Sequence, residues 1–258
     1  MTVDILPPQK WYFPGLEIWL NLNFFAVEKE KTAEISEMLE QIRQDPDFYV
    51  KKNLIKNDLA TTVASAKIGE LNLIIKRVNA KSLFTSIRRL FYLTRAERNW
   101  HFSNRLQHHK IDAFNVLLLV KKKYLGLCYA SYVYMTKIEG VEAVAYFKNC
   151  TAKPQWQPIA DKIICLIKKL SELGFRHRDL NLSNMIVEKD KAKVYLLDLD
   201  AMKDSRFLRG YFEKKEAQKF IKNIGYLKQE NSELFFYFFH ALINNKQKTK
   251  SKQYEIKL

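Results

Sequence analysis

The sequence predicts an α+β fold in two lobes, in which an antiparallel sheet is followed by a mainly helical part. Strand-like segments separated by turns dominate residues 48–140, and helical patterns dominate residues 141–258. The chain has 258 residues, of which 47% are hydrophobic, so it can bury a substantial core. We therefore divide it into an N-terminal extension at 1–47, a sheet lobe at 48–140 and a helical lobe at 141–258.

Before residue 140, one helix precedes a series of predicted strands. Residues 30–44 predict an amphipathic helix that ends at Asp45-Pro46, because apolar side chains recur at helical spacing at Ile35, Met38, Leu39 and Ile42. Three antiparallel strands follow, with turns at Asn57-Asp58 and Gly69-Glu70: FYVKKN (48–53), ATTVASAKIG (60–69) and LNLIIKRV (71–78). A second helix is predicted over TRAERNWHFSNRL (94–106). The sheet is completed by the strands FNVLLLVKKK (114–123) and CYASYVYMTKI (128–138).

The second lobe begins with the clearest helix of the chain. PIADKIICLIKKLSELG (158–174) has Pro158 in its first turn, Gly174 at its end and a buried stripe of Ile159, Ile163, Leu166, Ile167, Leu170 and Leu173. The strands MIV (185–187) and VYLL (194–197) predict a hairpin. Helical segments are predicted at 212–228 and 231–244, before a basic polar tail.

Composition limits the partners and the compartment. The formal net charge of +16 favours anionic partners such as nucleic acid, nucleotide phosphates or acidic lipid surfaces. Three cysteines with no CxxC pair suggest neither a disulfide framework nor a zinc site, and a reducing cytoplasm fits best. The N-terminus lacks a signal-peptide pattern, and no apolar run approaches the ~20 residues needed to cross a bilayer.

Two polar segments flank the predicted hairpin, HRDLNLSNMIV (177–187) and VYLLDLD (194–200). If the strands pair around residue 191, Asn184 and Asp198 face each other about 5 Å apart. Such oxygen ligands can share Mg²⁺, which takes one or two protein oxygens together with substrate phosphates. Asp200 contributes a further carboxylate if the strand continues. The segments therefore predict a metal and phosphate site.

Asp179 precedes Asn184 by five residues and lies in the loop, where it can accept a proton from a hydroxyl. The order HRDxxxxN, hairpin, Asp resembles the catalytic loop and metal-binding aspartate of the protein-kinase-like phosphotransferases. That resemblance implies the two-lobed kinase fold. The alternative is a polar helix-to-strand loop in which Asp and Asn cap backbone groups.

Kinase-like folds also use a strand lysine to hold phosphates and a helix glutamate to hold that lysine. Lys76 ends an apolar strand, and Glu97 is the only acid between residues 76 and 105. Lys76 can instead be an edge charge, and Glu97 can pair with a neighbouring arginine. Adenine would bind the backbone at Thr136, Lys137 and Ile138, and the alternative there is an ordinary strand end.

Residues 50–205 resemble the bacterial lipopolysaccharide kinase family, which includes the Kdo kinases and the heptose kinases. The segments that carry the resemblance are IIKRVN, RRLFYLTRAERNWHFSNRL, LGLCYASYVYMTKIEG and HRDLNLSNMIV with VYLLDLD. LGLCY and the Asp-Leu-Asp ending look more like the Kdo branch. The resemblance implies that the protein phosphorylates an inner-core sugar on lipid A with ATP and Mg²⁺, as a peripheral protein on the cytoplasmic face of the inner membrane.

The resemblance also implies a role for each site residue. Asp179 would be the base, Asn184 and Asp198 the Mg²⁺ ligands, Lys76 the phosphate contact and Glu97 its partner. The sequence departs from kinases in lacking a glycine-rich loop around residues 54–65 and an APE-like segment. An anionic acceptor and membrane surface fit the basic run 76–105 and the tail 246–252, either of which can equally be solvated surface. LFFYFFHALI (234–243) predicts a buried helix, with membrane contact as the alternative.

Two other functions remain open from the residues. One is a small atypical protein kinase, which would share the ATP site but needs a peptide groove. The other is a basic kinase-like scaffold without catalysis that binds nucleic acid or acidic lipid. The sequence has no RNA-binding aromatic signature, which disfavours nucleic acid.

Overall fold

The computed structural model describes residues 8–21, 32–80, 82, 87, 92–150, 152–188, 190, 192–205 and 209–244. The chain divides into two compact units, Met1–Lys137 and Ile138–Leu258. The described residues form an antiparallel sheet and several helices, which confirms the mixed α and β class. The two-lobed kinase arrangement and the domain boundaries at 47 and 140 stay predictions.

The first unit is built on a seven-stranded antiparallel sheet. Its strands lie in the order β1-β2-β6-β7-β5-β4-β3. They are β1 (Gln9–Phe13), β2 (Leu16–Leu20), β3 (Leu54–Asn57), β4 (Thr61–Ile68), β5 (Leu71–Asn79), β6 (Val116–Tyr124) and β7 (Leu127–Thr136). The strands predicted over 60–69, 71–78, 114–123 and 128–138 are confirmed. The hairpin β1–β2, which the sequence did not predict, adds two strands beside β6.

The predicted first strand, FYVKKN, is wrong. Residues Phe48–Lys52 form a short helix, α2, and the strand β3 begins only at Leu54. The backbone N–H groups of Phe48 and Lys51 donate to Asp45 O and Asp47 O, which closes helical turns after Pro46. Tyr49 and Val50 are buried in the core. Five residues are too short for the helical and strand periods to be told apart, so packing decided the conformation.

One face of the sheet is covered by α2 and by helix α1 (Thr32–Gln44), which confirms the predicted amphipathic helix. Ile35, Met38 and Ile42 of α1 are buried in the core with side chains of the sheet. A polar cluster interrupts this apolar core at Asp47. Its carboxylate accepts a hydrogen bond from Tyr132 Oη at 2.8 Å and forms ion pairs with Arg77 at 3.0 Å and Lys122 at 3.3 Å.

Helix α3 (Arg95–His108) packs against β5, β6 and β7 and confirms the helix predicted over 94–106. Its N-terminus carries a capping box, in which Thr94 Oγ1 accepts from Glu97 N and Glu97 Oε2 accepts from Thr94 N. The other oxygen of Glu97 accepts from Lys121 Nζ at 2.8 Å, and Lys121 also pairs with Glu17 Oε1 at 2.9 Å. One buried lysine of β6 thus bridges two carboxylates.

The bridge sets the charge of the groups that form it. Burial raises the pKa of Glu17, but hydrogen bonds from Lys123, Lys121 and Trp19 outweigh it, and the net shift is downward. Burial lowers the pKa of Lys121, but the contacts with Glu97 and Glu17 outweigh burial, and the net shift is upward. Glu17 and Lys121 are therefore held as ions inside the first unit.

The second unit combines helices with short strands. Its helices are α4 (Ala143–Asn149), α5 (Lys153–Glu172), α6 (Arg209–Asn223), α7 (Leu227–Glu230) and α8 (Ser232–Phe239). Its strands are β8 (Val141–Glu142), β9 (Phe175–His177), β10 (Met185–Glu188), β11 (Lys193–Leu196) and β12 (Met202–Asp204). β10 pairs with β11 and β8, and β12 pairs with β9, all antiparallel.

Helix α5 delivers the chain to the predicted site. It begins at Lys153, five residues before the predicted start, so Pro154 occupies the first turn and Pro158 lies inside the helix. The start predicted at Pro158 is therefore wrong, because Pro154 is equally suited to a first turn. The predicted buried stripe is confirmed from Ile159 to Leu170. Gly174 follows the helix end with a φ of 73°, a conformation that favours glycine.

The apolar segment 234–243 forms α8 and the start of a short π-helix, His240–Asn244. Leu234, Phe235 and Phe238 are buried, which confirms the predicted buried helix, whereas Phe236 is half-exposed. Of the helices in the described part of the chain, none combines the length and apolarity that crossing a bilayer requires. The basic tail at 246–252 lies outside the described residues.

Candidate active site

The loop after β9 brings two of the predicted site residues together. Asp179 Oδ2 accepts a hydrogen bond from Asn184 Nδ2 at 3.1 Å, and the same Nδ2 donates to Asp179 O at 2.7 Å. Asp179 Oδ1 accepts from Asn181 Nδ2 at 2.9 Å. Both carboxylate oxygens are thus oriented by amide groups, while the side chain of Asp179 stays exposed to solvent. An exposed, oriented carboxylate is suited to accept a proton from a bound hydroxyl.

Backbone capping in this loop is performed by a third residue, Asn181. Its Oδ1 accepts from Asn184 N at 3.1 Å and from Ser183 Oγ at 2.5 Å, which starts the 3₁₀ turn Leu182–Asn184. The alternative interpretation assigned capping to the aspartate and asparagine of the motif. Asn184 also binds a backbone group, Asp179 O, so the alternative holds in part for this residue. The carboxylate of Asp179 accepts instead from the side-chain amides of Asn181 and Asn184.

The hairpin register differs by one residue from the prediction. Met185 pairs with Leu196, and Leu197 N donates to Asn184 O at 2.9 Å, so Asn184 lies opposite Leu197. The predicted pairing of Asn184 with Asp198 is wrong. Asp198 has already left the strand, with a φ of 55° and a ψ of 45° in the left-handed region. This conformation is uncommon in non-glycine residues, although aspartate adopts it more often than most, and such positions cluster at functional sites.

The strand does not continue to Asp200, so the predicted reason for its placement is also wrong. Leu199–Ala201 form a 3₁₀ turn, and Asp200 is buried within it. The turn leads directly to β12, which pairs with β9 beside His177. Asp198 and Asp200 are therefore held on a turn between two paired segments rather than along a strand.

His177 fixes the turn that carries Asp198. Its Nε2 lies 3.1 Å from Leu197 O and 3.2 Å from Asp198 O, and since carbonyls only accept, this nitrogen carries the proton. Burial lowers the pKa of His177, and the nearby backbone carbonyls and the Asp198 charge only partly offset this. The imidazole is therefore a neutral donor. The sequence presented this histidine in the motif but gave no signal for its contacts.

We expect the free energy of unfolding to fall as the pH drops below about 6.5, the ordinary pKa of histidine. Below this pH, His177 binds a proton in the unfolded chain but stays neutral in the folded protein, where its pKa is lower. The folded state therefore loses stability as the pH falls toward that lower pKa. Urea titrations between about pH 7 and pH 5.5 measure the slope. His177→Gln should flatten it, and exposed His108→Gln should leave it unchanged; equal slopes in all three proteins contradict this.

Helix α6 supports the loop from below through three polar side chains. Glu216 Oε1 accepts from Arg176 Nε at 2.8 Å, Lys219 Nζ donates to His177 O at 3.5 Å, and Asn223 Nδ2 donates to Leu180 O at 2.9 Å. The three residues lie on one face of α6. The sequence marked none of them, because the partners are backbone atoms and an arginine some 40 residues away in the chain.

In the first unit, the predicted phosphate contact and its partner are Lys76 and Glu97. Lys76 lies on β5 opposite Val133, and Val133 lies opposite Leu119 of β6. By strand alternation, Lys76 therefore points to the same face of the sheet as Lys121. Glu97 contacts Thr94 and Lys121 in the structure. The Lys76–Glu97 pair stays a prediction, and Lys121 is a partner of Glu97 that the sequence did not indicate.

The predicted adenine contacts follow the end of β7. Thr136 N donates to Asn115 O at 2.9 Å, and Lys137 N donates to Asn72 O at 2.8 Å. These two donors are already engaged within the fold. The N–H of Ile138 makes no hydrogen bond to any residue that the structure describes, so it is the donor of the three best suited to a base.

The donor atoms of the loop residues are of the kind that Mg²⁺ prefers. Asn184 uses its amide nitrogen toward Asp179, which leaves its amide oxygen as a candidate ligand atom, and Asp198 follows the second strand of the hairpin with a carboxylate. Across the described ranges, no three His, Cys, Asp or Glu side chains are grouped as a metal site. Mg²⁺ bound with a nucleotide needs only one or two protein oxygens, and an amide and a carboxylate oxygen fit that requirement.

The comparison with known proteins identifies the class of this protein. The model described as "Lipopolysaccharide kinase (Kdo/WaaP) family" matches residues 41–231, so the class of protein is a kinase, a phosphotransferase. This match spans well over half of the chain, and the chain belongs to the lipopolysaccharide kinase (Kdo/WaaP) family. The family predicted from the sequence is thereby confirmed.

A solved structure titled "WaaP in complex with acyl carrier protein" is similar to this chain at 11% sequence identity. The similarity covers 75% of this chain and 90% of that chain, with a TM-score of 0.44. No curated protein matches the sequence.

Proposed function

We propose that this protein transfers the γ-phosphoryl group of ATP to a sugar hydroxyl in the inner core of lipopolysaccharide. Membership of the lipopolysaccharide kinase family supports the reaction class. The observation that carries the assignment is the exposed carboxylate of Asp179, held by the amides of Asn181 and Asn184 in the loop before the hairpin that ends at Asp198. This arrangement supplies a base and two oxygen ligands within one loop and hairpin of the second unit.

Each residue has a role in that reaction. Asp179 accepts the proton of the attacking hydroxyl, and the amides of Asn181 and Asn184 keep its oxygens in place. Asn184 and Asp198, with Asp200 as a further carboxylate, would hold Mg²⁺, which would neutralise phosphate charge when bound. Lys76 holds the nucleotide phosphates with Glu97 as its partner, and the backbone at Thr136, Lys137 and Ile138 contacts adenine, with Ile138 N–H as the donor.

The acceptor we propose is Kdo rather than heptose. The resemblance of LGLCY and of Asp198-Leu199-Asp200 to the Kdo branch supports this choice. Because such an acceptor is lipid-linked, the protein works as a peripheral protein at the cytoplasmic face of the inner membrane. Its net charge of +16 suits an anionic lipid surface and a polyanionic acceptor.

The test is a comparison of acceptors for the purified protein. With ATP and Mg²⁺, we expect phosphate on Kdo-lipid A, a slower reaction with a heptose-containing core, and none with generic protein substrates. Mass spectrometry of the products locates the phosphate. Phosphate on protein substrates alone would assign the site to a small atypical protein kinase, and no transfer to any acceptor would favour a binding scaffold.

A further inference from the structure

Two hairpin turns of the first unit lie side by side at one end of the sheet. The turn between β1 and β2 passes through Pro14 and Gly15, and the turn between β6 and β7 passes through Leu125 and Gly126. Because β2 pairs with β6, the two turns meet, and Gly15 O accepts a hydrogen bond from Lys123 N at 2.8 Å.

The two turns expose large apolar side chains. The exposed fractions are 69% for Tyr12, 38% for Phe13, 72% for Tyr124 and 86% for Leu125. We call these four residues the hairpin-tip patch. Single exposed apolar residues are ordinary on a protein surface, but adjacent ones at neighbouring turns mark an interaction site.

The backbone at Leu125 adds an independent observation. Leu125 has a φ of 48° and Gly126 a φ of 79°, which is the type I′ pattern of a two-residue hairpin turn. The first central position of that turn favours asparagine or glycine, and a leucine there is strained by about 1 kcal/mol or more. This leucine is thus strained and also almost fully exposed. Neither property stabilises the fold, so a contact outside the fold has to account for the leucine.

The charges beside the patch indicate the partner. The two hairpins carry four lysines, Lys10, Lys121, Lys122 and Lys123, and one acid, Glu17. Glu17 is buried and paired with Lys121 and Lys123. Lys10 is exposed, over the ring of Trp19. Lys10 lies three residues before the end of β1. At the tip itself Lys123, next to Tyr124, keeps 33% of its side chain exposed, whereas the acid Glu17 is buried. Aromatic and leucine side chains beside an exposed lysine and no exposed acid of the two hairpins match the boundary between acyl chains and anionic headgroups.

We infer that the hairpin-tip patch inserts into the headgroup region of an anionic bilayer. Tyrosine suits that position because its ring is apolar and its hydroxyl stays wet, and Leu125 supplies the deepest apolar contact. The inference deepens the proposed function by naming the surface that meets the membrane, and it rests on that function only for the identity of the membrane.

The decisive variant is Leu125→Asn, because it should raise the stability of the fold and at the same time weaken binding to the membrane. Asparagine relieves the turn, so the midpoint of thermal unfolding should rise by about 2–4 °C. Removing the apolar side chain should weaken binding to vesicles of phosphatidylethanolamine and phosphatidylglycerol about tenfold. Sedimentation with these vesicles, without ATP or acceptor, measures the binding, and vesicles of phosphatidylcholine alone measure its dependence on anionic lipid.

The matched control is Phe236→Asn, which removes a half-exposed apolar side chain from α8 in the second unit. We expect this variant to bind vesicles as the unchanged protein does. Equal binding by Leu125→Asn and the unchanged protein, or loss only in Phe236→Asn, overturns the inference. So does a change of self-association in sedimentation velocity without a change in vesicle binding, which would assign the patch to a second copy of the chain.

The vesicle assay separates this inference from the proposed function. If the protein binds anionic vesicles through Leu125 but phosphorylates no sugar, the membrane inference stands and the proposed kinase function is wrong. If it phosphorylates Kdo-lipid A in detergent, yet binds vesicles equally with and without Leu125, the proposed function stands and the membrane inference is wrong.

Discussion

Replacing Asp179 by alanine should lower the rate of phosphoryl transfer by about a thousandfold, the usual contribution of a positioned general base. The change removes the carboxylate that the amides of Asn181 and Asn184 orient. Because Asp179 is exposed, the loss of these two hydrogen bonds should alter the free energy of unfolding by less than about 1 kcal/mol. Single-turnover measurements with saturating ATP separate the chemical step from nucleotide binding.

The control for this prediction is Asp190→Ala, which removes an exposed acid from the turn of the neighbouring hairpin. It changes the net charge equally but touches no proposed site residue, so activity should stay within about twofold. The prediction fails if both variants lose the same activity, since a nonspecific charge effect would then explain both. It also fails if Asp179→Ala transfers phosphate at the normal rate.

Replacing Lys121 by methionine should destabilise the protein by about 3 kcal/mol, because it leaves buried carboxylate charge without its partner. Lys121 Nζ contacts both Glu97 Oε1 at 2.8 Å and Glu17 Oε1 at 2.9 Å, and all three side chains are largely buried. Glu17 keeps Lys123, so most of the cost should come from Glu97. Equilibrium unfolding in urea at neutral pH measures the loss.

Two further variants make the result specific. Adding Glu97→Gln to Lys121→Met removes the unpaired charge and should recover part of the lost stability, a coupling that a double-mutant cycle reports. Lys122→Met is the matched control on the next residue of β6, where Asp47 keeps Arg77 and Tyr132 as partners. Equal costs for the two methionine variants, or no recovery in the double variant, would contradict the role of the bridge.

The spacing of apolar residues in the sequence predicted the longer helices and strands. Helix α1 followed from apolar residues at a period of 3.6, and β4, β5, β6 and β7 followed from apolar runs between turn residues. The same reasoning failed at Phe48–Lys52, where five residues fit both periods and burial of Tyr49 and Val50 selected the helix. It missed the hairpin β1–β2, whose pairing partner β6 lies about a hundred residues further along the chain.

At the site, the motif placed Asp179 and Asn184 in one loop but did not predict their contacts. The hydrogen bond from Asn184 to the carboxylate of Asp179 was found only in the structure. The position of Asp198 was wrong by one residue of register, because nothing in Leu197-Asp198-Leu199 marks the left-handed conformation. His177 and two residues of α6, Lys219 and Asn223, hold the loop by donating to backbone carbonyls. Every residue has such a carbonyl, so the sequence does not indicate which of them accepts a hydrogen bond.

The sequence alone determined the family and placed Asp179 and Asn184 in one loop, since both depend on residue types at short, fixed separations. Only the tertiary structure decided that Lys121 pairs with Glu97 and Glu17, and that two turns together expose Tyr12, Phe13, Tyr124 and Leu125. The physical reason is that such contacts join residues from distant parts of the chain. Their partners are set by strand order and burial, which folding fixes only when the whole core is packed.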